Sequence, residues 1–448
     1  MICIFTLLAS VLFMRSRHAK ADYSTHPRFA RLHRIARLFG PGLVTGAADD
    51  DPSGILTYSQ SGAQFGLGQL WTALVMLPFL IAVQEMSARI ALVTGQGIAA
   101  TLRKHYSRHV LYGIVFLLIA ANTINLGADL GAMADSAHLL LPIPNAFFIL
   151  LFATIAIVLE VFVQYRTYAP MLKLLTLSLF AYMLTGLIAT RDWTPVIKAS
   201  FLPHIQFDYQ FLMIIVGVFG TTISPYCFFW QASQELEERR AGNGGSGGAR
   251  RLLADMQRDT SIGMFASEVA TWFIIETTAV VLYVNGVRDI TTSAQAARAL
   301  DPLVESFPHA GKISEILFAA GVIGTGALAV PIFAAVSSYA LCELLEWNEG
   351  LDLTPKQAPG FYWIMLAGTS VGVLQNYLGF NPIKLLIYSA VINGIVSVPI
   401  IFMLIIIANN SKIMGKYANR MLSNVISIAT LAVMTISAGL MMYSFFAK

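Results

Sequence analysis

Charge is what this chain of 448 residues has least of: Asp, Glu, Lys and Arg make up 12% of it, about half the share of an average soluble protein. A soluble domain with so little charge could not hide its apolar surface. Cysteine is scarce as well. Cys3, Cys227 and Cys342 lie far apart with no ligand-like spacing, which excludes a disulfide framework and a cysteine zinc site. The net charge of +4 is too small to mark a nucleic-acid partner. No cleavable leader is evident either. Residues 1–14 (MICIFTLLASVLFM) are apolar but too short to span, and Arg15, Arg17 and Lys20 follow them where a signal peptide has its charges first. This stretch reads as a dispensable extension or an over-long start, with Met14 as an alternative start.

What is present is hydrophobic length. The chain is 56% hydrophobic with a mean hydropathy of +0.67, and apolar runs of the roughly 20 residues that cross a bilayer recur along it. The fold class that follows is an all-α membrane protein, its environment the lipid bilayer. Eleven spans are expected, near 40–64, 67–92, 108–138, 144–163, 167–189, 208–235, 260–284, 313–345, 358–378, 383–408 and 419–445. With the N-terminus inside, the 29 Lys and Arg divide 22 inside to 7 outside. That bias orients the chain N-terminus cytoplasmic and C-terminus out, in a cell inner membrane. The expected organisation is a cytoplasmic segment at 1–38, a core at 39–408 made of two inverted blocks (39–190 and 208–408), and a loop with an eleventh span at 409–448. The stretch AGNGGSGGA at 241–249 has the composition of a flexible tether within one unit.

Two spans are interrupted. The first reads GPGLVTGAADDDPSGILTYSQSGAQFG, with Asp49-Asp50-Asp51-Pro52-Ser53-Gly54 near its middle. Proline removes helical hydrogen bonds, and carboxylates at that depth are costly in lipid. Irregular backbone is tolerated there only when enclosed by protein or facing a water-filled cavity. The sixth span, GVFGTTISPYCFFWQASQE, breaks at Ser224-Pro225. Interrupted helices at corresponding positions of two five-helix blocks point to a secondary transporter of the inverted-repeat kind, with its site at the midplane. Freed carbonyls and the Asp51 carboxylate would supply hard oxygen ligands for a cation. The plainer reading is that Pro52 and Pro225 merely kink their helices, but a kink needs no ionised group. Asp49 and Asp50 are weaker candidates, at least one of them expected to be solvated in a vestibule.

The stretches GPGLVTGAADDDPSG, SARIALVTGQGIAATLRKHY, NLGADLGAMADSA and GTTISPYCFFWQASQE, in this order, resemble the NRAMP family of divalent-metal transporters from about residue 38 to the last span. Family members typically carry Asp-Pro-Gly-Asn in the first broken helix and Met-Pro-His in the sixth, and hold the metal through Asp, Asn, the Met sulfur and main-chain carbonyls. The resemblance implies that Asp51 is the metal-binding aspartate and that Ala48 and Thr221 lend carbonyls. It also marks departures. Gly54 stands at the Asn position, Ser224 at the Met position and Tyr226 at the His position. Asp129 is kept in the third span, but Ala132 replaces the usual Glu, the ninth span lacks the family's arginine pair, and Ala390 replaces Gln.

A thioether favours transition metals over Mg²⁺ and Ca²⁺. Without Met, and with no side-chain ligand at Gly54, the site becomes harder and roomier, and the ion must keep more of its own water, as Mg²⁺ does. The cargo expected is Mg²⁺ or Mn²⁺ rather than sulfur-selected Fe²⁺; it is a substrate, and no resident cofactor is implied. The missing histidine and arginines imply weak or absent proton coupling, with Asp129, Tyr226, Asp50 and Glu268 as proton-carrying or supporting groups and Glu85 and Glu276 as further candidates. Glu268 and Glu276 are placed to share a face of span seven. Span eight, with Pro331 and its small residues, is read as packing. Glu235, Glu237 and Glu238 are read as a solvated run beside Arg239 and Arg240. Two other readings stay open: a transporter of amino acids or other organic solutes on the same architecture, and an intramembrane enzyme using Asp51 and Asp129. A monomer is compatible with the sequence.

Overall fold

The computed structural model describes residues 41–162, 176–240 and 249–446. Every regular element among them is helical. The first expected span is two helices, α1 (Pro41–Asp49) and α2 (Pro52–Phe65), and the sixth is α9 (Tyr209–Thr222) and α10 (Pro225–Arg240). Between them run α3 (Trp71–Thr94), α4 (Ile98–His105), α5 (Arg108–Leu140), α6 (Asn145–Phe162), α7 (Phe180–Ala189) and α8 (Trp193–Phe201). After them come α11 (Ala249–Thr278), α12 (Ala310–Leu345), α13 (Pro359–Gln375), α14 (Pro382–Asn409) and α15 (Met421–Phe446).

Local chemistry sets the boundaries. α3 ends where Gly95 takes φ +68°, a left-handed turn that favours glycine. Asp208 caps α9 by accepting from the Phe211 N–H at 3.0 Å, satisfying one of the free donors of a helix start. The N-terminus of α4 is capped from afar: the Ala100 N–H donates to Glu343 of α12 at 2.9 Å. The space that carboxylate needs exists only because residue 97 is glycine, since a Cβ there would lie 1.6 Å from Glu343 Oε1.

Burial divides core from periphery. The Tyr209–Arg240 window, holding the second break, is 94% buried, whereas that of α15 is 28% buried. α15 turns Met421, Leu422, Val425, Tyr443 and Phe446 outward, as a helix facing lipid tails does. At the centre the half-helices meet: α1 packs on α10 and on α11, α2 on α9, and α9 on α14. Trp230, Phe228 and Phe229 of α10 are buried core side chains. α12 lies along α5, and Gly326 fits between them because a Cβ there would stand 2.6 Å from Met133 Sδ and 3.2 Å from Pro52.

Several expectations change. The seventh helix begins at Ala249, so Ala249, Arg250 and Arg251 are helical; 241–248 lies outside the described residues. The fifth span is described only from 176, with its α-helix at Phe180–Ala189, and residues 1–40 also fall outside. Glu235 and Glu237 are not a solvated run: each is 6% exposed, and Glu237 accepts from the Tyr339 hydroxyl and from the Leu351 N–H. Arg239 donates to the Leu92 carbonyl. Glu268 and Glu276 look different ways, as helical positions eight residues apart are offset by roughly 80°. Glu276 packs on Gly186 of α7 and accepts from Thr190, whereas Glu268 faces α1. Glu85 is held in an ion pair with Arg89 at 2.9 Å.

Candidate functional site

The two breaks place the ends of four half-helices side by side. Pro52 opens α2, and the residue before it, Asp51, is its N-cap in extended backbone. Asp51 Oδ1 accepts from the Gly54 N–H and from the Ser53 hydroxyl, each at 2.7 Å. Half of the carboxylate therefore has an ordinary structural task. The other half does not: Asp51 is 1% exposed and its Oδ2 has no hydrogen-bond partner. A buried carboxylate oxygen left unpaired costs several kcal/mol by general experience, which points to a ligand at that atom.

Across the junction, the Ser53 hydroxyl lies 3.2 Å from Thr221 Oγ1, and the Thr221 hydroxyl also bears on Asp51. Thr221 thus offers a hydroxyl beside the carbonyl that the resemblance implies. Ser224 donates to the carbonyls of Gly220 (2.8 Å) and Thr221 (2.6 Å), filling in for the N–H groups that Pro225 and the break remove. Its oxygen keeps lone pairs free while its proton is so engaged. Tyr226 donates to the Ala48 carbonyl at 2.8 Å. A second tyrosine makes a matching tie, Tyr58 Oη to Thr222 Oγ1 at 2.9 Å. Each half of the first span is thereby hydrogen-bonded to a half of the sixth.

Gly54 sits beneath this junction: a Cβ there would be 3.2 Å from Tyr58 and 3.3 Å from Thr221 Oγ1. Asp129 of α5 is 0% exposed with both carboxylate oxygens unpartnered, and Asp51 is the charge that acts on it. Ala390 lies behind α9, its carbonyl 2.1 Å from where a Gly220 Cβ would be.

Asp49 and Asp50 depart from the sequence reading. At 0% and 4% exposure neither is solvated, because α11 covers them. Ser267 of α11 donates to Asp49 Oδ2 at 3.1 Å and lies 3.2 Å from Asp50 Oδ1, and the Cys227 thiol is 3.5 Å from Asp49 Oδ1. Ser53, Ser267, Tyr58, Thr222 and Cys227 are thus neighbours of the site to which the sequence analysis gave no role there. Ser53 and Thr222, lying within the two interrupted stretches, and Ser267, next to Glu268, carried a usable signal.

Chemically, the junction assembles oxygen: carboxylate, hydroxyl and carbonyl. No three His, Cys, Asp or Glu side chains among the described residues converge as a metal cage. An oxygen set of this kind suits a hard cation.

Comparison with known proteins agrees with this twice-broken helical architecture. The family model described as natural resistance-associated macrophage protein-like, Nramp, matches residues 42–444. The chain belongs to the NRAMP family. Among curated relatives, a divalent metal cation transporter, MntH, of Caldanaerobacter subterraneus subsp. tengcongensis is 24% identical over 418 residues, covering 92% of this chain and 94% of that protein. One of Klebsiella pneumoniae subsp. pneumoniae is 25% identical over 402 residues, covering 88% and 90%. Among solved structures, the Eremococcus coleocola manganese transporter, crystallised with an aromatic bis-isothiourea substituted compound, superposes with a TM-score of 0.75 at 16% identity, covering 96% of this chain and 90% of that one. The fold of this NRAMP protein is therefore the all-α, inverted-repeat membrane fold with discontinuous first and sixth helices, and the protein is multi-pass.

Proposed function

We propose that this NRAMP protein is a secondary transporter that carries a divalent metal cation, Mg²⁺ or Mn²⁺, across a cell inner membrane by alternating access. The observation that carries the reading is the Asp51 carboxylate, buried between two broken helices with Oδ2 unpartnered. Family membership and the metal transporters among its relatives support the same cargo class. Asp51 supplies the charge, and the Ser224 oxygen and the Thr221 and Ala48 carbonyls supply neutral oxygens; Gly54 adds no side-chain ligand, and the space beside it is closed by Tyr58 and Thr221. The ends of α1 and α9, where carbonyls point into the junction, carry the negative pole of a helix dipole and favour a cation further. The N-terminus is cytoplasmic, in line with the distribution of Lys and Arg.

Proton coupling is weak or absent in this reading. Tyr226, in the family's histidine position, is committed to the Ala48 carbonyl, and a neutral phenol does not take up a proton near pH 7.

The test is uptake of Mn²⁺ and Mg²⁺ into proteoliposomes, with Asp51→Ala as control. Entry of both ions, abolished by the substitution, is expected. Uptake that survives Asp51→Ala refutes the site, and uptake of neither ion turns the reading toward an organic solute.

A further inference from the structure

The short helix α8 joins the fifth and sixth spans: Ala189 ends α7 just before it, and Tyr209 opens α9 just after. At about 100° per residue, its side chains fall into three sectors. Val196 and Ser200 are buried against the protein. Trp193, on the same side, stacks on Trp272 of α11 at 6.3 Å, and the Trp272 indole donates to Ser200 Oγ at 2.9 Å. Thr194, Pro195 and Lys198 make a second sector, exposed and mostly polar. Between the two lie Ile197 and Phe201, one turn apart and 54% and 72% exposed. The chain beyond the helix adds Leu202, Ile205 and Phe207, all exposed. Leaving a large apolar side chain in water forgoes roughly 1.5–3 kcal/mol of burial, so five of them in one short stretch call for a cover. Position in the chain says which. The apolar surface continues from α7, where Leu184, Leu187 and Ile188 are exposed on a spanning helix. Arg191, Lys198 and His204 are exposed beside it, cations at the height where a membrane carries its phosphates.

We infer that α8 and the segment 202–207 lie in the plane of the membrane surface, seated on phospholipid. Ile197, Phe201, Leu202, Ile205 and Phe207 enter the boundary of the acyl chains, and Lys198 stays among the headgroups. A helix with separate faces for protein, lipid and water fits that boundary and no other. The seat is joined to both interrupted spans. α8 packs on the turn Gly66–Gln69 that follows α2, and on α3. His204 lies against the Phe211 ring of α9 at 6.4 Å, and a Cβ at Gly68 would stand 3.5 Å from it. The leaflet therefore sets the height of the neighbouring ends of α2 and α9, and rocking of those half-helices works against the lipid.

The experiment measures depth. Nitroxide labels are attached one at a time at Ile197→Cys, Phe201→Cys and Lys198→Cys, in a Cys3→Ser chain whose other cysteines, Cys227 and Cys342, are buried. The full-length protein is reconstituted in vesicles of phosphatidylethanolamine and phosphatidylglycerol. Power-saturation EPR then compares collision of each label with oxygen, which collects among acyl chains, and with water-soluble Ni(II)-EDDA. Oxygen should prevail by roughly threefold or more at positions 197 and 201, and Ni(II)-EDDA at position 198. Preference for Ni(II)-EDDA at 197 and 201 places that face in water and overturns the inference. Exclusion of both reagents there places protein over it, such as a second copy of the chain, and overturns it equally. The wild type supplies a check that needs no substitution. Vesicle phospholipids carrying a diazirine near the head of the acyl chain are photolysed, and adducts are mapped by mass spectrometry. Adducts within 197–207 are expected; adducts on the spans with none in that stretch refute the seat.

Discussion

The Tyr226 hydroxyl donates to the Ala48 carbonyl across 2.8 Å, tying the start of α10 to the last turn of α1. The carbonyl it engages is one of the two that family resemblance offers to the metal. The phenol fastens two half-helices together, and in the proposed reading it also competes with the cargo for that oxygen. Tyr226→Phe should separate the two effects. A buried carbonyl deprived of its donor costs about 1–3 kcal/mol, so the melting midpoint of the detergent-solubilised protein should fall by several degrees. With the carbonyl free, KM for Mn²⁺ uptake should fall about threefold. A higher KM with an unchanged midpoint would contradict this.

Selectivity should follow the sulfur. Ser224→Met introduces a thioether beside Asp51 and is expected to raise Cd²⁺ uptake relative to Mg²⁺ by roughly tenfold, since soft ligands select soft metals. Gly54→Asn, the other change toward the usual family pattern, should be tolerated less well. Its Cβ would press on Tyr58 and on the Thr221 hydroxyl, so loss of folded protein is expected before any gain in affinity. Competition uptake and size-exclusion profiles of both variants decide the matter.

α9 and α14 meet backbone to backbone. A Cβ at Gly220 would stand 2.1 Å from the Ala390 carbonyl and 2.2 Å from the Gly394 nitrogen, where no side chain can swing away. Gly220→Ala should destabilise by about 1–3 kcal/mol or more. Gly113→Ala in α5, with nothing within 4 Å of its Cβ, should be neutral or stabilising by up to about 1 kcal/mol. Thermal unfolding of the pair in one detergent provides the comparison.

Glu349, in the loop after α12, is pushed up to about 9, first by burial and then by the neighbouring Glu343, against the opposing pull of Arg240. An acid held protonated by the fold costs stability wherever the unfolded chain would ionise it. The penalty is absent below its ordinary value of 4.5 and complete only above about 9. The melting midpoint should therefore fall as pH rises from 5 to 9, and Glu349→Gln should flatten that slope. An unchanged slope in the variant would remove Glu349 as its cause.

Much of the architecture was legible in residue order because lipid imposes length and proline imposes breaks. α5, α6, α12 and α14 begin and end within about three residues of the spans read from hydropathy, and both interruptions fall at Pro52 and Pro225. What could not be read was which polar groups find cover. Glu237 sits in a run that looks solvated, yet its partners Tyr339 and Leu351 lie 102 and 114 residues further on. Asp49 and Asp50 looked fit for a water-filled vestibule, but α11, more than 200 residues away, closes over them. Local pattern reports what a residue needs; only tertiary contact reports who supplies it.

The 1% exposure of Asp51 bears on throughput. In this conformation the carboxylate is closed off from solvent by the described residues, so an ion reaching it must wait for protein to move aside. Passage is then paced by helix motion, on microsecond-to-second timescales, rather than by diffusion through a pore. Flux should level off as cargo concentration rises. A cell can also hold many copies of such a protein without draining the ion gradients that its membrane maintains.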